Sequence, residues 1–368
     1  MVLIIATVGP SIKDKKVLKE IIEVGANGLR LNFSHGDLNN FEDVIKTSKE
    51  IKKDIRIIQD LTGSKIRVSN ILPYIIKIYN GEEILFCGED IYEANKGKYY
   101  LNRKKIIPLN FDNEILSANK IKSISMKDNT MHFKIIKTNN DGIFTKVIKG
   151  GIVRGGKGCN IKGFSRNELG LLPKDKKDIK WGLEKKVDII CQSFVECDED
   201  ILQVKDYINN ELKSTFMPKI WAKVETIKGI DKLDEISKVV DGVVIGRGDL
   251  IPESSIVLTP ILEDKAFKKL KDKKNDLIVA THILNSMKGG KSAEISEVES
   301  IYNHMKAGVN GFMLAGETSI GKAPIRTVEF IKKITDKYEK VIREYEWKEK
   351  FNTYSMDSIG NINSIYFL

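Results

Sequence analysis

Eight strand-sized apolar runs, most of them followed by segments with helical periodicity, restrict this chain more than any other feature. They are Leu3–Gly9, Gly28–Phe33, Asp54–Leu61, Val187–Phe194, Lys219–Glu225, Gly242–Asp249, Asp276–Thr281 and Gly311–Gly316. Most are near-continuous apolar stretches with polar residues gathered at their C-terminal ends, the pattern of parallel strands buried on both faces. Helical stripes follow: Leu18, Ile21 and Ile22 after the first run, and Ile201, Leu202, Lys205 and Ile208 after the fourth. After the eighth, Pro324 opens a long stripe of Val328, Ile331, Ile334, Tyr338, Val341 and Tyr345. Eight strands alternating with helices predict an α/β fold, a (β/α)8 TIM barrel with its active site at the C-terminal strand ends. A doubly wound sheet is the weaker alternative, because no Gly-rich turn follows the first strand.

A long insert separates the third and fourth strands. Its short β-like runs (Tyr74–Tyr79, Glu83–Cys87, Phe144–Ile148) are broken by Asn-Gly, Asn-Asn-Asp-Gly and Gly-Gly turns. The expected organisation is a discontinuous barrel, 1–67 and 164–347, with a small all-β lid at 68–163 and a C-terminal tail at 348–368. A decorative insertion is the alternative to a lid.

The 368 residues suffice for two domains, and 41% of them are apolar. No apolar run approaches the roughly 20 residues of a membrane span, and the N-terminus enters a strand with no leader-like segment. Cys87, Cys159, Cys191 and Cys197 lack metal-ligand spacing, which suggests a reducing cytoplasm without disulfides. The net charge of +10 comes from lysines spread along helices, as in Lys265 to Lys274. Nothing resembles a nucleic-acid-binding motif; a basic balance still favours polyanionic small substrates such as nucleotides.

Polar groups at the strand ends form a set. The second strand ends in Arg30 and Asn32, which share a face, and the third in Asp60, followed by Lys65 and Arg67. The fourth supplies Ser193, the fifth Lys223 and Glu225 on one face, the sixth Gly248 and Asp249, the seventh Thr281, and the eighth Glu317. Lys223, Glu225 and Asp249 alone are compatible with a structural ion pair closing the barrel end. The whole set suits phosphoryl transfer, where cations and a metal neutralise phosphate oxygens. Metal-assisted enolate chemistry on a 2-oxo acid is the alternative on the same residues.

At these positions the chain resembles the pyruvate kinase family. The resemblance is carried by Thr7-Val8-Gly9-Pro10-Ser11, Arg30-Leu31-Asn32-Phe33-Ser34-His35-Gly36, Gly63-Ser64-Lys65-Ile66-Arg67 and Gln192-Ser193-Phe194-Val195. It continues through Ala222-Lys223-Val224-Glu225, Gly246-Arg247-Gly248-Asp249-Leu250, the Ala280–Met287 segment and Gly316-Glu317-Thr318, in the family's order. It implies a cytoplasmic, glycolytic phosphotransferase that converts phosphoenolpyruvate and ADP to pyruvate and ATP. By resemblance, Glu225 and Asp249 bind Mg²⁺ or Mn²⁺, and Lys223 stabilises the phosphoryl group in flight and the enolate. Arg30 and Arg67 hold phosphate, while Ser193, Gly248, Asp249 and Thr281 belong to the substrate site, Thr281 also lying on the route of enolate protonation. Arg30, His35, Lys157 and Lys174 lie near the nucleotide. Asn32, Ser34, Asp60 and Leu61 fall where the family binds K⁺.

The chain departs from the family's pattern in five places. Asp60-Leu61-Thr62-Gly63-Ser64 replaces the usual Asp-Thr-Lys-Gly-Pro, losing a lysine. Lys65 stands where potassium-dependent members carry Glu, which predicts that an ammonium replaces K⁺ and that K⁺ is not required. Ile251 replaces a Gly, and His282 and Asn285 replace Gln and Glu beside Thr281. The family's C-terminal domain has no counterpart here, which argues against its sugar-phosphate effector control, puts the family's usual tetramer in doubt and leaves room for a homo-oligomer through the barrel. Two other readings stay open: an enzyme of a specialised pathway using phosphoenolpyruvate or an oxo acid, and a non-catalytic relative. The expected partners are phosphoenolpyruvate/pyruvate and ADP/ATP, with no nucleic acid or membrane.

Overall fold

The computed structural model describes residues 2–34, 36–95, 98–101, 103–118, 121–126, 130–164 and 166–360, the side chains of 117, 118, 167, 168 and 346–360 excepted. Eight strands stand where the apolar runs predict them. They are β1 (Leu3–Thr7), β2 (Gly28–Asn32), β3 (Arg56–Asp60), β4 (Ile189–Gln192), β5 (Lys219–Val224), β6 (Gly242–Gly246), β7 (Asp276–Ala280) and β8 (Gly311–Leu314). They form a closed barrel in sequence order, the expected (β/α)8 TIM barrel. β1, β4, β6 and β8 are buried along their whole length. Parallel strands covered on both faces cannot afford alternation, so Val, Ile and Leu fill them continuously.

By compactness the chain divides into two units. The first comprises Met1–Arg30, Leu38–Ile57 and Asp276–Leu368. In it β1 pairs with β2 and β8, and β8 with β7, all parallel. The helix Lys15–Glu23, capped by Asp14, buries Leu18, Ile21 and Ile22, the predicted stripe. The closing helix Pro324–Gly360 buries Val328, Ile331 and Thr335. The predicted stripe fails at its far end, where Tyr345 is 58% exposed.

The second unit comprises Leu31–Asp37 and Ile58–Asn275. Here β3, β4, β5 and β6 pair in that order, with Ile190 opposite Gln59 and Ile220, and Ala222 opposite Val243. The helix after β4, Asp198–Asp206, buries Ile201 and Val204, whereas Leu202 is 40% exposed. Leu202 lies one residue, about 100° of helix, from Ile201 and so falls off the buried stripe.

The unit also carries the β insert, a seven-stranded sheet plus a two-stranded ribbon of Ile76–Ile78 and Gly151–Val153. Its central hairpin joins Met131–Asn139 to Gly142–Lys149 through the Asn-Asn-Asp-Gly turn. The sheet has its own core of Leu85, Phe86, Ile107, Phe133 and Ile143, with the Phe86 and Phe133 rings edge to face at 5.0 Å. Two short helices, Glu89–Ala94 and Asn113–Ala118, were not legible in the turn pattern. All four cysteines are free thiols. Among the described residues, no helix is long and apolar enough to cross a membrane.

Candidate active site

In the second unit the ends of β3–β6 bring three carboxylates and three cations together. Lys223 Nζ is 3.2 Å from Asp60 Oδ2 and 3.5 Å from Glu225 Oε1. It donates to Ser193 Oγ at 2.8 Å, and that hydroxyl donates to Asp60 Oδ1 at 3.0 Å. Lys223 and Glu225 meet as the two-residue period of β5 predicts. Glu225 Oε2 accepts from the Phe194 backbone N–H at 3.2 Å. Phe194 is held at φ 57°, a left-handed conformation rare for a bulky residue and costly without support.

The predicted sixth strand ends early. β6 stops at Gly246, and Arg247–Glu253 is a short helix, so Gly248 and Asp249 sit in its first turn. Lys65 Nζ donates to both oxygens of Asp249, 2.7 Å each. Arg67 is mostly buried and gives Nη1–H to Gly156 O at 3.0 Å. Burial lowers its guanidinium, and the Asp249 charge opposes that shift.

Burial pushes the Glu225 carboxyl up to about 7; Lys223 opposes this and the Asp249 charge adds to it. Burial also works to raise Asp249, but Lys65, with Lys223 and Arg67 nearby, holds it below the usual carboxylate range. Two carboxylates that strain against each other welcome a divalent cation. Among the described residues no group of three or more His, Cys, Asp or Glu side chains could hold a metal. A pair of carboxylates is nonetheless what Mg²⁺ commonly takes from protein, waters and substrate oxygens filling its octahedron. Gly246 leaves room for the Glu225 side chain: a Cβ there would lie 2.6 Å from Glu225 Cγ. Glu225 and Asp249 therefore fit such an ion.

The remaining predicted residues are placed as follows. In the second unit, Asn32 Oδ1 accepts from Ser34 N at 3.1 Å, and Leu61 is buried with its N–H on Cys191 O at 2.9 Å. Lys174 Nζ donates to Phe33 O at 2.9 Å and pairs with Asp178. Lys157 donates to Ile152 O. A cavity of about 730 Å³ is lined by Ser34, Thr62, Arg67, Asn110, Gly156 and Lys174, among others. Asp60 is tied to Lys223 and Ser193, and Lys65 turns to Asp249. His35 lies outside the described residues.

In the first unit, Arg30 Nη1 donates to Thr7 Oγ1 at 3.2 Å. Thr281 is at φ 73° and His282 at φ 56°, left-handed conformations that mark a specialised turn after β7. The buried Glu317 carboxylate braces this turn, accepting from Ile283 N at 3.1 Å and Leu284 N at 3.3 Å.

Residue types at strand ends did not reveal the supports of the cluster. Asp175 is buried and accepts from Thr62 N at 3.2 Å and Gly63 N at 3.0 Å, pinning the turn that leads to Lys65 and Arg67. Its place beside Lys174 was the only hint. Arg166, between Glu196 and Glu253, carried no signal at all.

Cations and buried carboxylates at the C-terminal ends of barrel strands are the equipment of an enzyme acting on an anionic substrate. A family model described as the barrel domain of pyruvate kinase matches residues 1–328. The pyruvate kinase of Clostridium perfringens (strain 13 / Type A) is 31% identical over 340 residues, 91% of this chain and 69% of its own length. That of Thermococcus litoralis is 30% identical, covering 90% of this chain and 68% of its own length. For Bacillus licheniformis the figures are 29%, 92% and 57%. The chain thus spans between about half and just over two thirds of these relatives. The protein is a phosphotransferase on a (β/α)8 barrel. It belongs to the pyruvate kinase family.

Proposed function

We propose that this chain transfers the phosphoryl group of phosphoenolpyruvate to ADP, giving pyruvate and ATP, in a reducing cytoplasm. The observation that carries the reading is the joint placement of Lys223, Glu225 and Asp249, with one carboxyl raised toward neutrality and its neighbour held ionised. Glu225 and Asp249 would hold Mg²⁺ or Mn²⁺, which supplies charge neutralisation for phosphoryl and enolate oxygens. Lys223, fixed by Asp60 and Ser193, is aimed to follow negative charge as it moves from the bridging oxygen to the departing enolate. On the resemblance alone, the Gly248 and Asp249 backbone N–H groups are assigned to the substrate carboxylate, and the Thr281 hydroxyl to the substrate and to the path of the proton that reaches the enolate carbon. Arg67 and Lys174 both line the 730 Å³ cavity, which supports their assignment to phosphate and nucleotide. Arg30, His35 and Lys157 are assigned there on the resemblance alone. The 2.7 Å contacts of Lys65 build a fixed cation into the cluster, which supports activity without K⁺.

The test is pyruvate formation from phosphoenolpyruvate and Mg²⁺, with and without ADP. ADP-dependent pyruvate is expected. Metal-dependent binding of phosphoenolpyruvate without ADP-dependent turnover would overturn the reaction and leave an enzyme with another acceptor.

A further inference from the structure

We propose that Arg166 is a positioning residue for the metal-binding pair, setting the separation of Glu225 and Asp249 through its ion pairs with Glu196 and Glu253. The inference rests on the reading of Glu225 and Asp249 as metal ligands. Arg166 opens the short 3-10 turn Arg166–Leu169, at the end of the β insert, and its side chain is 4% exposed. Nη1 is 3.0 Å from Glu196 Oε1 and Nη2 is 2.6 Å from Glu253 Oε1, with both carboxylates equally buried. A planar guanidinium fork fixes two carboxylates in direction as well as distance.

Each of those carboxylates is linked through its own segment to one half of the pair. Glu196 ends the segment that begins with Ser193 and Phe194. Ser193 Oγ accepts from Lys223, Phe194 N–H donates to Glu225, and Val195 N–H donates to Lys223 O at 3.1 Å. A shift of Glu196 therefore moves the support of Glu225. Glu253 stands four residues after Asp249 in the helix Arg247–Glu253, on the same face one turn on. A pull on Glu253 rotates or lifts the turn that carries Asp249. Arg166 is thus the bridge between the support of one ligand and the helix of the other.

The stacking around Phe194 continues the bridge. The Arg166 guanidinium carbon lies 4.9 Å from the Phe194 ring centroid, and the Lys65 ammonium lies 5.5 Å from it. Lys65 in turn holds Asp249. The left-handed backbone of Phe194 thus has its ring against the one cation and near the other. Asn160, from the insert strand Cys159–Lys162, donates to Glu253 Oε1 at 2.9 Å, and Lys162 donates to Ser254 O at 3.1 Å. The return of the insert is consequently fastened to the helix that presents Asp249.

The test uses Mn²⁺ binding, read by electron paramagnetic resonance of free Mn²⁺ without substrate, beside the thermal midpoint. The triple variant Arg166→Met, Glu196→Gln, Glu253→Gln removes the three buried charges together and so avoids the cost of leaving one of them unpaired. A folded triple variant with Mn²⁺ affinity weakened about tenfold or more is expected, and Arg166→Lys, which keeps the charge without the fork, should weaken it by an intermediate factor. A purely structural ion pair would shift the midpoint and leave Mn²⁺ affinity alone. Wild-type affinity in either folded variant overturns the proposal; should the triple variant not fold, Arg166→Lys decides on the same criterion. If the wild type itself binds no Mn²⁺, the metal reading falls and this inference with it.

Discussion

Lys65 gives its ammonium to both carboxylate oxygens of Asp249, at 2.7 Å each, so a fixed positive charge sits on one of the two proposed metal ligands. By the resemblance, the same lysine is read as standing where potassium-dependent members of the family carry Glu. A tethered ammonium supplies locally what a bound K⁺ would otherwise bring. Turnover should therefore be the same, within about twofold, in K⁺ and Na⁺ at matched ionic strength, and Lys65→Met should lower kcat/KM by about tenfold, or about 1.4 kcal/mol. Initial rates in the two salts check this. Strong stimulation of the wild type by K⁺ would remove the argument.

On the proposed reading Lys223 is the cation that follows developing charge; Asp60 and Ser193 accept from its ammonium, and Glu225 lies 3.5 Å from it. Lys223→Ala should cut kcat by about 10²–10³, the usual cost of losing one preorganised donor to a transition state. Mn²⁺ binding should persist, because the variant removes a positive charge and leaves both carboxylates. Steady-state kinetics beside Mn²⁺ titration separates the two effects. Full activity in Lys223→Ala would refute the assignment.

Gly246 makes room for Glu225. A Cβ at this position would lie 2.6 Å from Glu225 Cγ and 2.7 Å from Oε1. The backbone there has φ −91°, so alanine brings no conformational strain of its own. Gly246→Ala should cost about 1–3 kcal/mol of stability through overpacking, and lower Mn²⁺ affinity about tenfold by displacing the carboxylate, or about 1.4 kcal/mol. Isothermal titration with Mn²⁺ on the folded variant tests it, and unchanged affinity would mean that Glu225 is not a ligand.

The barrel was legible because its signal is repeated: eight apolar runs, most with polar residues at one end, leave few alternatives. Lys223 and Glu225 were legible because strand periodicity puts them on one face. Other features depend on contacts that the local pattern does not encode. The run Gly242–Asp249 reads as one strand, but only Gly242–Gly246 pairs, and the chain then turns into a helix that presents Asp249. Leu202 looks core-forming by type, yet Val204 takes the buried place. Arg166 is a lone arginine in a turn; its two carboxylates lie 30 and 87 residues away. Nothing local distinguishes it from a solvated cation.

The Asp175 carboxylate holds the turn before Lys65 and Arg67, in a buried site that shifts it far from its ordinary range. Burial, reinforced by the Asp178 charge, pushes it up to about 7 against Lys174 and the Gly63 and Thr62 N–H donors. In the unfolded chain an Asp titrates near about 3.9. Between those values the native state binds more protons than the unfolded state, so stability is highest below about 4 and falls as pH rises toward about 7. Above that both states are ionised and the contribution is flat. Asp175→Asn cannot titrate, so it should lack this loss, on the order of a few kcal/mol across the window. It keeps one acceptor for the Thr62 and Gly63 N–H groups and is expected to fold. Urea unfolding of both proteins from pH 4.5 to pH 8 should show the wild type losing stability relative to the variant as pH rises. Parallel profiles would mean that Asp175 is already ionised throughout, with its two backbone donors and Lys174 outweighing its burial.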